Sequence, residues 1–324
     1  MDNAPSLERV RGVNYPEIDS VIAEIGPFAL RWYGFAYLAA FICAWWLARL
    51  RARRLAGWSD LAISDLIFYS ALGVILGGRL GYVLFYGLDL ALRDPLWIFK
   101  IWTGGMSFHG GLLGVIVALF YFTNRTGKRV FEVADFVAPL VPTGLLFGRL
   151  ANFINTELPG RVTDVPWGLH YPCVMVQGLN PQCSQIYETV ARHPSPLYQA
   201  ALEGVVLGIL IWWFVRRPRP LATVSGLFLV GYGLARLFTE FFRQPDTQIG
   251  LLAAGVTMGQ LLSIPMVLGG LGLMWWGFTR EQPPALRLAD EGDASGREDL
   301  PADTSTGDNA ASRTGARRNR GRQR

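Results

Sequence analysis

The sequence predicts an all-α integral membrane protein of seven transmembrane helices, with a small extracytoplasmic subdomain between the fourth and fifth. Three observations carry that expectation. Of 324 residues, 51% are hydrophobic and only 17% charged, and the charges collect in short loops and at the C-terminus. Seven apolar runs approach the about 20 residues a helix needs to cross a bilayer; they fall at about 28–48, 61–86, 96–122, 131–147, 197–215, 221–242 and 256–279. Basic loops alternate with these runs: Arg49, Arg51, Arg53 and Arg54 follow the first, Arg125, Lys128 and Arg129 the third, and Arg216, Arg217 and Arg219 the fifth. All three lie on one side, which the positive-inside rule makes cytoplasmic.

Residues 1–26 are polar and lack a short apolar core followed by a small-residue cleavage site, so they read as an extracytoplasmic segment, with the first span kept as an anchor. A seven-helix membrane domain is expected over 27–280. Span two carries Gly77-Gly78-Arg79-Leu80-Gly81-Tyr82, and Arg79, Tyr82 and Tyr86 share a helix face. Tight glycine packing with interfacial tyrosines and direct ligand contact both fit that group. Span three holds Gly104-Gly105-Met106-Ser107-Phe108-His109-Gly110-Gly111, whose glycines let a backbone or ligand approach closely; Gly110 and Gly114 have GxxxG spacing.

Span four is the shortest and is broken by Pro139 and Pro142. After it comes Gly148-Arg149-Leu150-Ala151-Asn152-Phe153-Ile154-Asn155-Thr156-Glu157-Leu158-Pro159-Gly160-Arg161, dense in guanidinium and carboxamide groups where an apolar segment ends. Such a membrane-edge site suits a lipid head group. The segment of about 150–196 is the expected subdomain; it holds Cys173 and Cys183, which are either a disulfide or two free thiols. His193-Pro194-Ser195 returns the chain to span five, with Ser195 as an expected N-cap and Glu203 buried in need of a partner, Arg79 or Arg149. In span six Tyr232, Arg236, Glu240 and Arg243 follow at intervals of four, four and three, a polar stripe on one face. Residues 281–324, acidic and then basic, read as a disordered cytoplasmic tail.

An ionisable group at membrane depth costs roughly 2.5–3.5 kcal/mol, so Arg79, His109, Arg149, Glu203, Arg236 and Glu240 each need a reason. A structural ion pair explains one or two of them, not six. No nucleotide, hydrolase or metalloprotease motif occurs and no carboxylate or cysteine stands at ligand spacing from a histidine, so no cofactor, metal or nucleic-acid partner is expected.

Over about residues 25–280 the chain resembles bacterial prolipoprotein diacylglyceryl transferases. The resemblance rests on Arg31-Trp32-Tyr33-Gly34, Gly78-Arg79-Leu80-Gly81-Tyr82, the histidine–glycine motif at 104–111, the 148–160 motif, His193-Pro194-Ser195 with Leu197-Tyr198, and Gly231-Tyr232-Gly233 followed by Arg236, Glu240, Arg243, Pro245 and Asp246. It implies a multi-pass protein of the bacterial inner membrane that moves the diacylglyceryl group of phosphatidylglycerol to the lipobox cysteine of a prolipoprotein signal peptide. The products would be a thioether and glycerol phosphate. The family's essential positions fall on Tyr33, His109, Arg149, Asn152, Glu157, Gly160, Tyr232, Arg236, Glu240 and Arg243. Ala151, Pro196 and Gln199 depart from common family residues.

Attack by a thiol of pKa ~8.5 needs a proton acceptor and a means of neutralising the departing phosphate. Guanidiniums suit the second task, which points to Arg149 and Arg236, with Tyr33, Asn152 and Asn155 around the head group, Glu157, Gly160 and Arg161 at the rim, and Arg79, Tyr232 and Arg243 completing the binding set. His109 and Glu240 compete as base, and the arginine field alone lowering the thiol pKa is a third route. Intramembrane arginines and broken helices also fit a transporter or channel for an anionic solute, although no paired halves are visible; a seven-helix receptor leaves the 148–161 motif unexplained.

Overall fold

The computed structural model describes residues 12–16, 18–25, 28–101, 104–245 and 255–280. The tail at 281–324, Asp246 and the first eleven residues lie outside them. The chain is mostly helical, beginning with short strands β1 (Val13–Asn14), β2 (Val21–Ile25) and β3 (Phe28–Arg31). Helices follow: α1 (Trp32–Ala52), α2 (Asp60–Tyr86), α3 (Leu88–Arg93), α4 (Phe108–Thr126), α5 (Val130–Val137) and α6 (Val141–Ile154). After β4 (Leu169–His170) and α7 (Cys173–Val176), α8 (Ser195–Gln199), a π-helical stretch (Ala200–Val206) and α9 (Leu207–Phe214) run on as one helix; α10 (Thr223–Thr239) and α11 (Met258–Thr279) complete the set.

Among the described residues, α1, α2, the continuous 195–214 helix and α11 are long and apolar enough to cross a membrane, and α5 with α6, bent by 48°, make a fifth candidate. Their exterior is apolar. On α1, Leu38, Ile42 and Trp46 recur every fourth residue and are 58%, 55% and 58% exposed, an outward face that only an apolar solvent stabilises.

Helix starts follow side-chain chemistry. Ser59 accepts from Ala62 N at 3.2 Å, Ser107 from Gly110 N at 3.3 Å, and Thr257 with Gln260 forms a capping box. The α5/α6 bend lies where Pro139 and Pro142 remove backbone donors, and Trp212 Nε1 donates to Pro139 O at 3.0 Å, satisfying one freed carbonyl. Asp135 accepts from Ala222 N and Ser225 N, both at 2.8 Å, and from Ser225 Oγ at 2.6 Å, capping α10 from another helix.

One expectation needs correction here. The third apolar run, expected at 96–122, is not one helix: Pro95–Phe99 is a 3-10 turn, Gly104 and Gly105 take positive φ, and the helix begins only at Phe108. Short strands accompany the helices. β1 pairs in parallel with β4, and β2 antiparallel with β3. Beside β4, Tyr15, Tyr171 and Val176 form a small core with Phe153, Leu169 and Cys183, and Cys173 and Cys183 are joined by a disulfide. Tyr15 donates to Phe153 O at 2.6 Å, fastening this layer to the end of α6, and burial pushes its pKa up to about 12. Buried Glu188 and Arg192 form a two-bond pair at 2.7 and 2.8 Å within the same segment.

Candidate active site

The polar residues of α6, the 195–214 helix and α10 form one alternating chain of charge. Arg149 lies 3.2 Å from Glu203, Glu203 is 4.0 Å from Arg236, Arg236 is 3.0 Å from Glu240, and Glu240 is 3.5 Å from Arg243. Glu203, the pivot, is fully buried. It sits in the π-helical stretch, where the extra residue per turn disturbs side-chain register; such irregularities concentrate at functional sites. Among the described residues, three guanidiniums and two carboxylates make up this chain. Arg236 Nη1 is buried with no hydrogen-bond partner, and such a donor is costly unless a ligand meets it. Tyr232, one turn before Arg236, stands close to Arg149.

A second cluster adjoins the first through α6. Asn152 Nδ2 donates to Tyr33 Oη at 2.9 Å and to Glu157 Oε2 at 2.7 Å, using both N–H groups of one amide and tying α1 to the turn after α6. In that turn Thr156 and Leu158 adopt left-handed φ of 54° and 58°, which costs L-residues on the order of 1–3 kcal/mol each and holds Glu157 in place between them. Asn155 Oδ1 is buried nearby without a partner.

The loop then closes over the end of α10. Gly160 N donates to His193 O at 3.0 Å and Arg161 N to Phe242 O at 2.9 Å, while Arg161 Nε reaches Arg243 O at 3.0 Å. A Cβ at Gly160 would lie 2.6 Å from Phe242 O and overlap His193 O, so only glycine fits. Ser195 is not the N-cap expected from sequence: Pro194 holds that position, and Ser195 Oγ donates to Leu158 O at 2.7 Å instead. His193 packs edge-on against Phe242, and burial lowers its pKa below the ordinary imidazole value.

Of the residues singled out in the sequence, Tyr33, Arg149, Asn152, Asn155, Glu157, Gly160, Arg161, Tyr232, Arg236, Glu240 and Arg243 come together in these two clusters. Arg79 and His109 do not. All five Arg79 donors go to carbonyls: Nε to Ile98 at 2.9 Å, Nη1 to Gly104 and Gly105 at 2.5 and 3.2 Å, Nη2 to Trp97 and Lys100 at 2.7 and 3.2 Å. Arg79 thus holds the bend before α4, and Glu203 takes Arg149 as its partner. His109 is exposed in the first turn of α4, with its ring against Phe108 and no polar contact to either cluster among the described residues. Sequence reasoning noted Glu203 as a buried charge without counting it in the site. Gln199, fully buried one turn earlier with neither amide atom hydrogen-bonded, carries no sequence signal beyond its departure from the common family residue.

The fold and these clusters define a class: a polytopic helical membrane protein holding a buried, arginine-rich charge network at the ends of its helices. A family model described as prolipoprotein diacylglyceryl transferase matches residues 20–276. The phosphatidylglycerol–prolipoprotein diacylglyceryl transferase of Vibrio vulnificus strain CMCP6 is 55% identical over 267 residues, 82% of this chain and 94% of that protein. Those of Aliivibrio fischeri and Chromohalobacter salexigens are 54% and 53% identical, covering 85% and 84% of this chain and 95% and 96% of theirs. The chain belongs to the prolipoprotein diacylglyceryl transferase family. Membership removes the transport and receptor readings.

Proposed function

We propose that this chain transfers the diacylglyceryl group of phosphatidylglycerol to a prolipoprotein, with the Arg149–Glu203–Arg236–Glu240–Arg243 chain as the seat of the lipid phosphate. The observation that carries this reading is a mostly buried network in which Arg149 and Arg236 meet at one carboxylate, Glu203, while Arg236 Nη1 makes no hydrogen bond. In a low-dielectric site such a cluster stabilises charge that develops on a leaving group. The thiolate of the lipobox cysteine attacks the glycerol carbon, an S–C bond forms, and the C–O bond to phosphate breaks. The electron pair leaves with glycerol phosphate between Arg149 and Arg236.

Asn152, Tyr33 and Glu157 orient the head-group glycerol, and the closed 158–161 loop with Arg161 and Arg243 forms the rim. Glu240, in contact with two arginines, is better placed than His109 to take the thiol proton at this cluster; His109 lines the approach on α4. The seven-span arrangement fits the helices if α4 and α10, of 19 and 17 residues, cross alongside the five candidates. In that arrangement the disulfide-bearing segment lies outside the bacterial inner membrane and both the basic loops and the C-terminus lie in the cytoplasm.

The test incubates the purified protein with phosphatidylglycerol and a lipobox peptide and follows the peptide by mass spectrometry. The expected result is a diacylglyceryl mass gain on the cysteine with stoichiometric glycerol phosphate. An unmodified peptide under those conditions overturns the proposal.

A further inference from the structure

At the other end of α10 a cleft of about 730 Å³ opens between the C-terminus of α1 and the α9–α10 connection. Its lining includes six arginines, Arg51, Arg53, Arg54, Arg216, Arg217 and Arg219, and no acidic residue. The charges stand out because one of them is inside. Arg51 is 8% exposed, its Nη2 donates to Asp135 O at 3.3 Å, and its Nε and Nη1 are buried without a hydrogen-bond partner. Asp135 offsets its charge only at longer range: the Asp135 carboxylate accepts from Ala222 and Ser225, and no salt bridge to Arg51 occurs among the described residues. A buried guanidinium with two unsatisfied donor groups at the floor of a cationic cleft asks for an anion with several acceptor oxygens.

The rest of the lining says which kind of anion. Ile209 and Trp213, 66% and 59% exposed on the outward face of the helix, stand beside the arginines, with Leu50 and Leu55 across the cleft. A soluble phosphate has no use for that wall, whereas a phospholipid satisfies both parts, its phosphate on the arginines and its acyl chain along Ile209 and Trp213. Val224, at this cleft, and Glu240, at the arginine network, are sixteen residues apart, about 24 Å along α10 at 1.5 Å per residue. The cleft is therefore a different site from the transfer site, in the opposite leaflet.

We infer that this cleft binds the head group of an acidic phospholipid from the leaflet that borders the basic loops. The inference does not depend on the transfer reaction. Native mass spectrometry of the full chain in detergent, titrated with phosphatidic acid, is the test, with phosphatidylcholine and inorganic phosphate as the other arms. Phosphatidic acid should be retained, and the exposed pair Arg216→Ala with Arg217→Ala should weaken its tightest binding about ten-fold while leaving lipid transfer and the thermal melt unchanged. Arg236→Ala, at the other site, should leave that binding in place. Equal retention of phosphatidylcholine, or displacement of phosphatidic acid by inorganic phosphate at equal concentration, overturns the lipid assignment; unchanged affinity in the double arginine variant, or in a separate Arg51→Met variant, overturns the site.

Discussion

Arg149 and Arg236 share one carboxylate, Glu203, so neither guanidinium can shift without unbalancing the other. Arg149→Lys keeps the charge but loses the planar fork that meets two phosphate oxygens at once. A lost charged hydrogen bond is worth about 1.5–3 kcal/mol, so transfer should fall roughly ten- to hundred-fold while the protein still inserts and melts normally; near-normal turnover would reduce Arg149 to a packing residue. Arg236 separates binding from structure more sharply. Breaking a buried pair by removing one partner costs about 3–5 kcal/mol, more than removing both. Arg236→Ala should therefore lose both stability and transfer, and adding Glu240→Ala should recover some of the melt but none of the transfer. Recovered transfer in the double variant would make the pair purely structural. The need for partners was legible from sequence, because charge inside an apolar run always requires an explanation. Their identity was not: Arg79 and Arg149 were equal candidates for Glu203, and only the fold of 97–105 shows Arg79 committed to five carbonyls.

At the scale of elements, periodicity located most of the helices to within a few residues, and it failed where the backbone leaves α geometry. The helix in the third apolar run begins a dozen residues late because Gly104 and Gly105 at positive φ and a 3-10 turn interrupt that run. The π-helical stretch at 200–206 has no composition signal, yet it carries Glu203. The glycine spacing, by contrast, was readable. On α2 and α4, Gly73 and Gly77 meet Gly110 and Gly114 backbone to backbone, and a Cβ on Gly114 would overlap Gly73 O. Gly114→Leu should force the two helices apart and destabilise the protein by about 1–3 kcal/mol or more. Gly111→Ala is the matched control, since its Cβ would meet nothing nearer than Val74 O at 3.6 Å. Thermal melts of the two variants in one detergent should show a lowered midpoint for the first only; equal midpoints would remove the close approach as a source of stability.

For the whole molecule, the two ends of the helices carry different chemistry, and that difference supports the proposed orientation. One end gathers the six cleft arginines with few acidic partners; the other gathers guanidiniums already matched to Glu203 and Glu240, beside a disulfide-bonded segment. Unmatched lysines and arginines in short loops resist translocation, whereas paired ones inside the protein do not enter that count. The disulfide points the same way, since it persists only on the oxidising side of a bacterial membrane. Both constraints support the proposed topology, with the cleft cytoplasmic and the proposed transfer site external, where an exported lipobox cysteine would arrive. Single cysteines test this in a Cys43→Ser background that keeps the Cys173–Cys183 bond: Gly178→Cys, in an exposed turn, against Ala56→Cys and Arg217→Cys in the basic loops. A membrane-impermeant maleimide should label Gly178→Cys in intact cells and reach the other two only after lysis. Labelling of Arg217→Cys in intact cells would invert the molecule and move the arginine network to the cytoplasmic face, away from the thiol it is proposed to serve.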